Sequence, residues 1–276
     1  MIALRTVGIC CLLLGCAIGY AAGETNIDSN IESKTTLPLK LVQAADLRAI
    51  AQKNFPDFAW HRAETMAWWG RRATLLQPVN DLRAHLTVGV HASSEEAQSA
   101  ARDYLDSVSM RLPAADASRE GFGQSGGCWL YESEGSSSVV FVQRNVLVCL
   151  AVLGRSAKEH AKRVAKAVNQ DIVEGTGGFA FGAAPASPIM RRVSMPTFLR
   201  VGEEKRIEVD LGTGPTEEPS LAAFSDGINH LALAKPEKSG TIVIQGRKQG
   251  RHKIVVVAVS ANCLVQVWRA EVTVQE

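Results

Sequence analysis

The sequence predicts an antiparallel α+β domain, with helices packed on its sheet, followed by an all-β sandwich. Three observations carry this. Two segments, one after Ser93 and one after Ser156, repeat apolar residues at helical spacing behind Ser-x-x-Glu starts. The segments between them alternate apolar and polar residues, and their connections are too short for parallel crossovers. Beyond residue 192 helical spacing disappears and about seven short strand-like stretches follow.

Leu41–Lys53 places apolar residues at Leu41, Ala44 or Ala45, Leu47, Ile50 and Ala51, which predicts a helix ended by Pro56. Ala63–Leu76 and Leu82–His91 read as two strands around a Gln77–Asp81 turn. In the second, Ala84, Leu86, Val88 and Val90 point one way, and Arg83, His85, Thr87 and His91 the other. Ser93 and Glu96 then open a helix whose apolar face is Ala97, Ala100, Ala101, Tyr104, Leu105 and Val108. Strands follow near Cys128–Glu132, Val139–Gln143 and Val146–Leu153, with tight turns at Gly135 and Arg144-Asn145. Ser156 and Glu159 form a capping box for a helix with Ala157, Ala161, Val164, Ala165, Val168 and Ile172 on its buried face. Gly175 caps its end. The predicted order is α-β-β-α-β-β-β-α, with helices on one face of the sheet.

In the last of these strands Val146, Val148, Leu150 and Val152 line one face, and Leu147, Cys149, Ala151 and Leu153 the other. The sheet is therefore apolar on both sides. Cover for the second side comes from the first helix, from the C-terminal domain or from a partner. Trp68 and Trp69, adjacent in a strand, must point to opposite faces, so one of them needs the same cover.

Residues 175–192 are rich in Gly, Ala, Ser and Pro and predict a linker. Residues 193–276 predict the sandwich, with strands near Thr197–Val201, Lys205–Leu211, Ser220–Phe224, His230–Leu233, Thr241–Gln245, Lys253–Val259 and Leu264–Val274. Phe198-Leu-Arg-Val-Gly202, Ile207-Glu-Val209, Ile242-Val-Ile-Gln-Gly246, Ile254-Val-Val-Val257 and Glu271-Val-Thr-Val274 resemble a bacterial immunoglobulin-like (Ig-like, group 2) domain. They similarly resemble the N-terminal β domain of pilus-assembly secretins. Either resemblance implies an extracytoplasmic binding or scaffolding module.

The start of the chain gives an address. Met1–Arg5 carries one positive charge, Thr6–Ala22 is apolar and uncharged, and Ala21, Ala22 and Gly23 close the run. This is the layout of a signal peptide over residues 1–23, and the run is shorter than the roughly 20 residues of a spanning helix. Two processing routes fit. Cleavage after the small residues releases a soluble protein. Alternatively, Leu13-Leu14-Gly15-Cys16 resembles a lipobox, which would make Cys16 a lipidated N-terminus. Residues 24–37 are polar and aperiodic, a flexible tether to the domain at 38–174.

Removing Arg5 with the leader leaves 29 basic against 28 acidic residues, a balance that speaks against a nucleic-acid binder. Cys128, Cys149 and Cys263 remain. The first two lie on strands separated by another, too far apart for a disulfide, so free thiols are expected.

Gly123-Gln-Ser125-Gly-Gly127 matches G-x-S-x-G, but a strand rather than a helix follows it. Gly121–Gly126 matches G-x-G-x-x-G with the same defect. No histidine has metal-ligand spacing, and Asp57, His61 and Glu64 meet at most in a loop. No catalytic, cofactor or metal residue is assigned. The expected interaction surface is Trp68, Trp69, the helical stripe Lys158, Lys162 and Lys166, and the turn residues Arg247, Lys248 and Arg251.

The expectation is a non-enzymatic, secreted or envelope-attached binding or assembly protein. Its partner would be another envelope protein or a surface glycan, with membrane contact only through a lipid on Cys16. The alternatives are an envelope enzyme or inhibitor with its site in the α+β domain, or a component of a pilus or secretion apparatus.

Overall fold

Pro38–Glu276 forms one compact unit. The computed structural model describes residues 40–66, 69–78, 81–108, 115–116, 123, 128–182, 189–212, 219–225, 230–234, 236 and 240–276. The leader, Cys16, the tether, Trp68 and Ser125 lie outside them.

The described chain is mainly β, with mostly antiparallel sheets and three helices. A seven-stranded sheet has the order β2-β3-β4-β8-β7-β6-β5. Its strands are β2 Ala59–Thr65, β3 Arg71–Gln77, β4 Leu82–Val90, β5 Ala115–Asp116, β6 Cys128–Ser133, β7 Ser136–Gln143 and β8 Val146–Leu153. The helices are α1 Leu47–Asn54, α2 Ser94–Val108 and α3 Ala157–Glu174. A two-stranded ribbon joins β1 Val42–Ala45 to β9 Phe179–Phe181.

Each face of the large sheet carries helices, the second over part of its width. On one, α1 and α3 bury Ile50, Ala161, Val164 and Val168 against Ala84, Leu86, Val148 and Leu150. On the other, α2 packs Ala97, Ala100 and Ala101 against Val140, Val142, Leu147 and Cys149. The predicted one-sided arrangement is thus corrected. The helix whose alanines allow close approach takes the second face, rather than the first helix.

Four local expectations also change. Leu41–Lys53 is not one helix, because Asp46 interrupts it. Its carboxylate accepts from the N–H groups of Arg48 and Ala49 at 2.9 and 3.0 Å, so the helix starts behind it. The residues before Asp46 run extended as β1.

Ala63–Leu76 is two strands. The chain reverses between Met66 and Gly70, where the Met66 N–H donates to the Gly70 carbonyl at 2.8 Å. At the start of α3, Ser156 is left-handed (φ 62°) and makes no side-chain cap bond. Only Gly154, Arg155 and Ser156 link β8 to α3, and this short connection takes positive φ at both Gly154 and Ser156. Gly175 does cap the end of α3, left-handed at φ 69°. Finally, residues 179–181 of the predicted linker form β9, and Phe179 is buried in the first core.

The C-terminal part contains two four-stranded sheets. One has the order β10-β12-β15-β14 and the other β11-β17-β16-β13. The strands are β10 Met190–Ser194, β11 Phe198–Arg200, β12 Glu204–Leu211, β13 Ser220–Ser225, β14 Leu231–Leu233, β15 Thr241–Gly246, β16 Gly250–Val259 and β17 Val265–Gln275. Seven match the predicted stretches, and β10 is an eighth that starts inside the predicted linker. Leu199, Ile207, Ile242, Ile244, Ile254, Val256, Val272 and Val274 form a core shared by both sheets.

The turn between β16 and β17 enters the first part of the molecule. Cys263 is fully buried in the core of the large sheet. Its carbonyl accepts from the Val90 N–H at 2.8 Å, and that of Asn262 from the Ala45 N–H at 3.0 Å. Arg71 Nη1 reaches the Ala261 carbonyl at 3.0 Å.

Candidate interaction surfaces

On its second face the large sheet is covered by α2 over β7 and β8. The side chains that continue this face across β4, β3 and β2 are mostly polar. Register places Arg83, His85 and Thr87 of β4 beside Leu76, Thr74 and Arg72 of β3, with Arg62 and Glu64 of β2 opposite Thr74 and Arg72. Arg62 and Arg83 are exposed; Arg72 and His85 are half-buried.

The cluster is tied together from below. Thr74 Oγ1 and His85 Nδ1 share a hydrogen bond of 3.2 Å, and Arg72 Nε donates to Thr87 Oγ1 at 3.2 Å. Glu64 lies 4.0 Å from Arg72 and 3.7 Å from Arg62. Two guanidiniums therefore share one carboxylate, and Arg83 stands on the next strand. Burial, then the charges of Arg72 and Arg83, hold the His85 pKa below its ordinary value; Glu64 acts the other way and Arg62 with the lowering group. The surface is a neutral imidazole in a cationic field, suited to an anion.

This cluster was not assigned from the sequence. Clean alternation in β4 was legible, but Arg62 and Arg72 joined it only through the extra hairpin at Met66–Gly70. The residues that were assigned behave differently. Trp69 is half-buried and packs edge-on against Tyr104, with ring centroids 4.9 Å apart, so it is a seam between the β2–β3 turn and α2. Lys158 and Lys162 both reach Glu132 of β6, at 2.7 and 3.2 Å, which binds part of the stripe to the protein itself. Lys166 stays exposed. Arg247, Lys248 and Arg251 are exposed at the β15–β16 turn of the C-terminal sheets, whereas this stripe lies on α3.

Among the described residues no group of three or more His, Cys, Asp or Glu side chains could hold a metal ion. His61 sits at a register shift in β2, exposed. Cys149 and Cys263 are unbonded, in separate cores, and burial pushes both thiols up, Cys263 to about 12. The Cys128 side chain lies outside the described residues.

Behind α2 is a shallow cleft lined by His91, Glu96, Ala100, Asp103, Val267 and Arg269. His91 is 3% exposed, and its Nε2 has no hydrogen-bond partner among the described residues. Burial lowers its pKa to about 4. The folded state therefore refuses a proton that the unfolded chain accepts below about pH 6.5. Stability from this group is complete above that pH and is lost as pH falls toward 4. The full loss is about 3 kcal/mol. Urea unfolding of wild type and His91→Gln at pH 7.5 and 4.5 checks this. The wild type should lose more stability than the variant, and parallel losses would refute the assignment.

No protein family matches this chain, and no curated protein matches it. Solved structures give partial likenesses. A GTP binding regulator from Thermotoga maritima is 16% identical with a TM-score of 0.31, over 44% of this chain and 85% of that one. Domains 4 and 5 of the S-layer protein SbsC are 12% identical with a TM-score of 0.25, over 51% of this chain and 66% of that one. At these scores the likenesses assign neither fold nor function.

Proposed function

We propose that this is a non-enzymatic binding and assembly protein, secreted or attached to the cell envelope, that acts outside the cytoplasm. In this reading residues 38–174 are an α+β binding domain and residues 193–276 an Ig-like sandwich that presents it. The cationic face of Arg62, Arg72, Arg83 and His85 carries the reading. The signal-peptide layout of residues 1–23 supports the address, and two four-stranded sheets around one core support the sandwich.

The ligand is a polymer bearing spaced carboxylates. Arg62 and Arg83 stand two strands apart, roughly 10 Å. That is wider than one carboxylate and suits an acidic stretch of an envelope protein or an acidic surface glycan. A bound anion would offset the guanidinium charges and raise the His85 pKa.

Titration with poly-glutamate and with oligogalacturonate, followed through the His85 ring proton signals, tests this and separates the two sources. One of the polymers should bind and move the His85 titration upward. Arg72→Glu with Arg83→Glu should weaken binding at least about tenfold. Equal binding by the double variant, or no response to either polymer, would overturn the reading. So would a hydrolase activity that is lost in Ser125→Ala.

A further inference from the structure

The end of the C-terminal sheets carries a second surface of a different kind. Phe198 and Val201 are 54% and 48% exposed, the most exposed of the large hydrophobic residues described. They lie at the same end. Val201 bridges to Gly246, the last residue of β15, and the Gly202 N–H donates to the Gly246 carbonyl at 2.8 Å. The next residues, 247–249, form the exposed turn that begins with Arg247 and Lys248. On the neighbouring sheet Phe198 pairs with Thr273, and Thr273 pairs with Arg251. Phe198 and Arg251 thus share a row and a face, two strands apart.

Arg200 is exposed between the two hydrophobic residues, and its N–H donates to Glu203 Oε2 at 2.7 Å. Among the described residues Arg200, Arg247, Lys248 and Arg251 make no ion pair within 4 Å. Among the described residues the carboxylates at this end are Glu203, Glu204, Glu271 and Glu276. Glu203 pairs with Lys205 at 3.4 Å, and Glu204 accepts from Gln245 at 3.4 Å. Lys205 in turn lies 4.5 Å over the Phe198 ring. Among the described residues the cations at this end, with Lys205 and Lys253, outnumber these carboxylates six to four, so the tip is net positive around two solvated apolar side chains.

We infer that this tip docks on an anionic lipid bilayer surface, with Phe198 and Val201 entering the headgroup region and Arg200, Arg247, Lys248 and Arg251 facing lipid phosphates. A soluble polyanion would use the cations and leave both apolar side chains in water. A membrane interface takes both kinds of group at once. Each cation held near an anionic leaflet is worth about fivefold in affinity. The inference rests on the extracytoplasmic reading only in placing a membrane within reach. It uses none of the residues of the β2–β4 face.

Vesicle flotation tests it, with secreted protein carrying Cys16→Ser so that no lipid anchor contributes. Vesicles of phosphatidylcholine with 30% phosphatidylglycerol, a composition set for the experiment, are compared with pure phosphatidylcholine. The protein should float with the anionic vesicles and be released at about 0.5 M salt, where the screening length shortens to a few ångströms. Arg247→Glu with Lys248→Glu should weaken flotation more than about 30-fold. Phe198→Ser should weaken it about tenfold, and Val201→Ser less. Arg62→Glu with Arg83→Glu should leave flotation unchanged, although it weakens carboxylate polymer binding. Equal flotation with neutral vesicles, unchanged flotation of the Arg247/Lys248 variant, or capture by a soluble polyanionic glycan without flotation would each overturn the inference.

Discussion

Gly70→Ala should destabilise the protein by about 4 kcal/mol. Gly70 closes the reversal between β2 and β3 at φ +115°, a conformation that side chains strain to adopt. A Cβ there would lie 2.0 Å from the Val88 carbonyl oxygen and 2.6 Å from the Gly89 Cα. Both are backbone atoms of β4, inside the sheet, and no rotamer change relieves the overlap. The reversal also seats Trp69 against Tyr104, so displacing it opens the seam to α2. Gly135 and Gly202 supply the control. Both have positive φ, at +71° and +82°, but a Cβ at either meets nothing within 4 Å. Alanine there should cost only the backbone term, about 1 kcal/mol. Urea unfolding followed by circular dichroism compares the three. A Gly70→Ala midpoint no lower than those of the controls would show that β4 does not press on the turn.

Asn145→Ala should cost a similar amount, about 4 kcal/mol, by a different route. Asn145 is 2% exposed in the turn between β7 and β8. Its Oδ1 accepts from the Val42 N–H at 2.9 Å, and its Nδ2 donates to the carbonyls of Val42 at 2.9 Å and His91 at 2.6 Å. One amide thus ties the β1 strand to the end of β4. Alanine would leave three backbone groups without these partners in a region that excludes water, and each orphaned group costs more than its bond contributed. Hydrogen exchange should locate the damage. The Val42 amide should exchange faster while the middle of α3 keeps its protection. Uniform loss of protection would mean that the strand is not a separate unit.

The sheet elements were largely legible. β8, for example, has the predicted limits Val146–Leu153, because β-branched runs and two-residue turns mark strands directly. The ends of helices and the reversal at Trp69 were not. Asp46 has the chemistry of a helix cap, but the apolar spacing around it continues unbroken into β1 and hides the boundary. Met66–Gly70 reads as strand because its tryptophans are apolar; Trp69 serves a contact with α2 that only tertiary structure reveals. The cationic face was hidden for the same reason. Its arginines come from three strands, and with β2 and β3 read as one strand their adjacency could not be seen. The lysine stripe on α3 was visible as a pattern, but its pairing with Glu132 depends on how α3 lies over β7 and β8, beside β6.

The buried turn at Ala261–Cys263 makes the C-terminal sheets a handle for the rest of the molecule. A load applied to the tip at Arg247 passes along β16 to that turn. From there it enters β4 through Val90 and β1 through Ala45. Were both proposed surfaces to bind, these backbone bonds would set the distance between the two ligands.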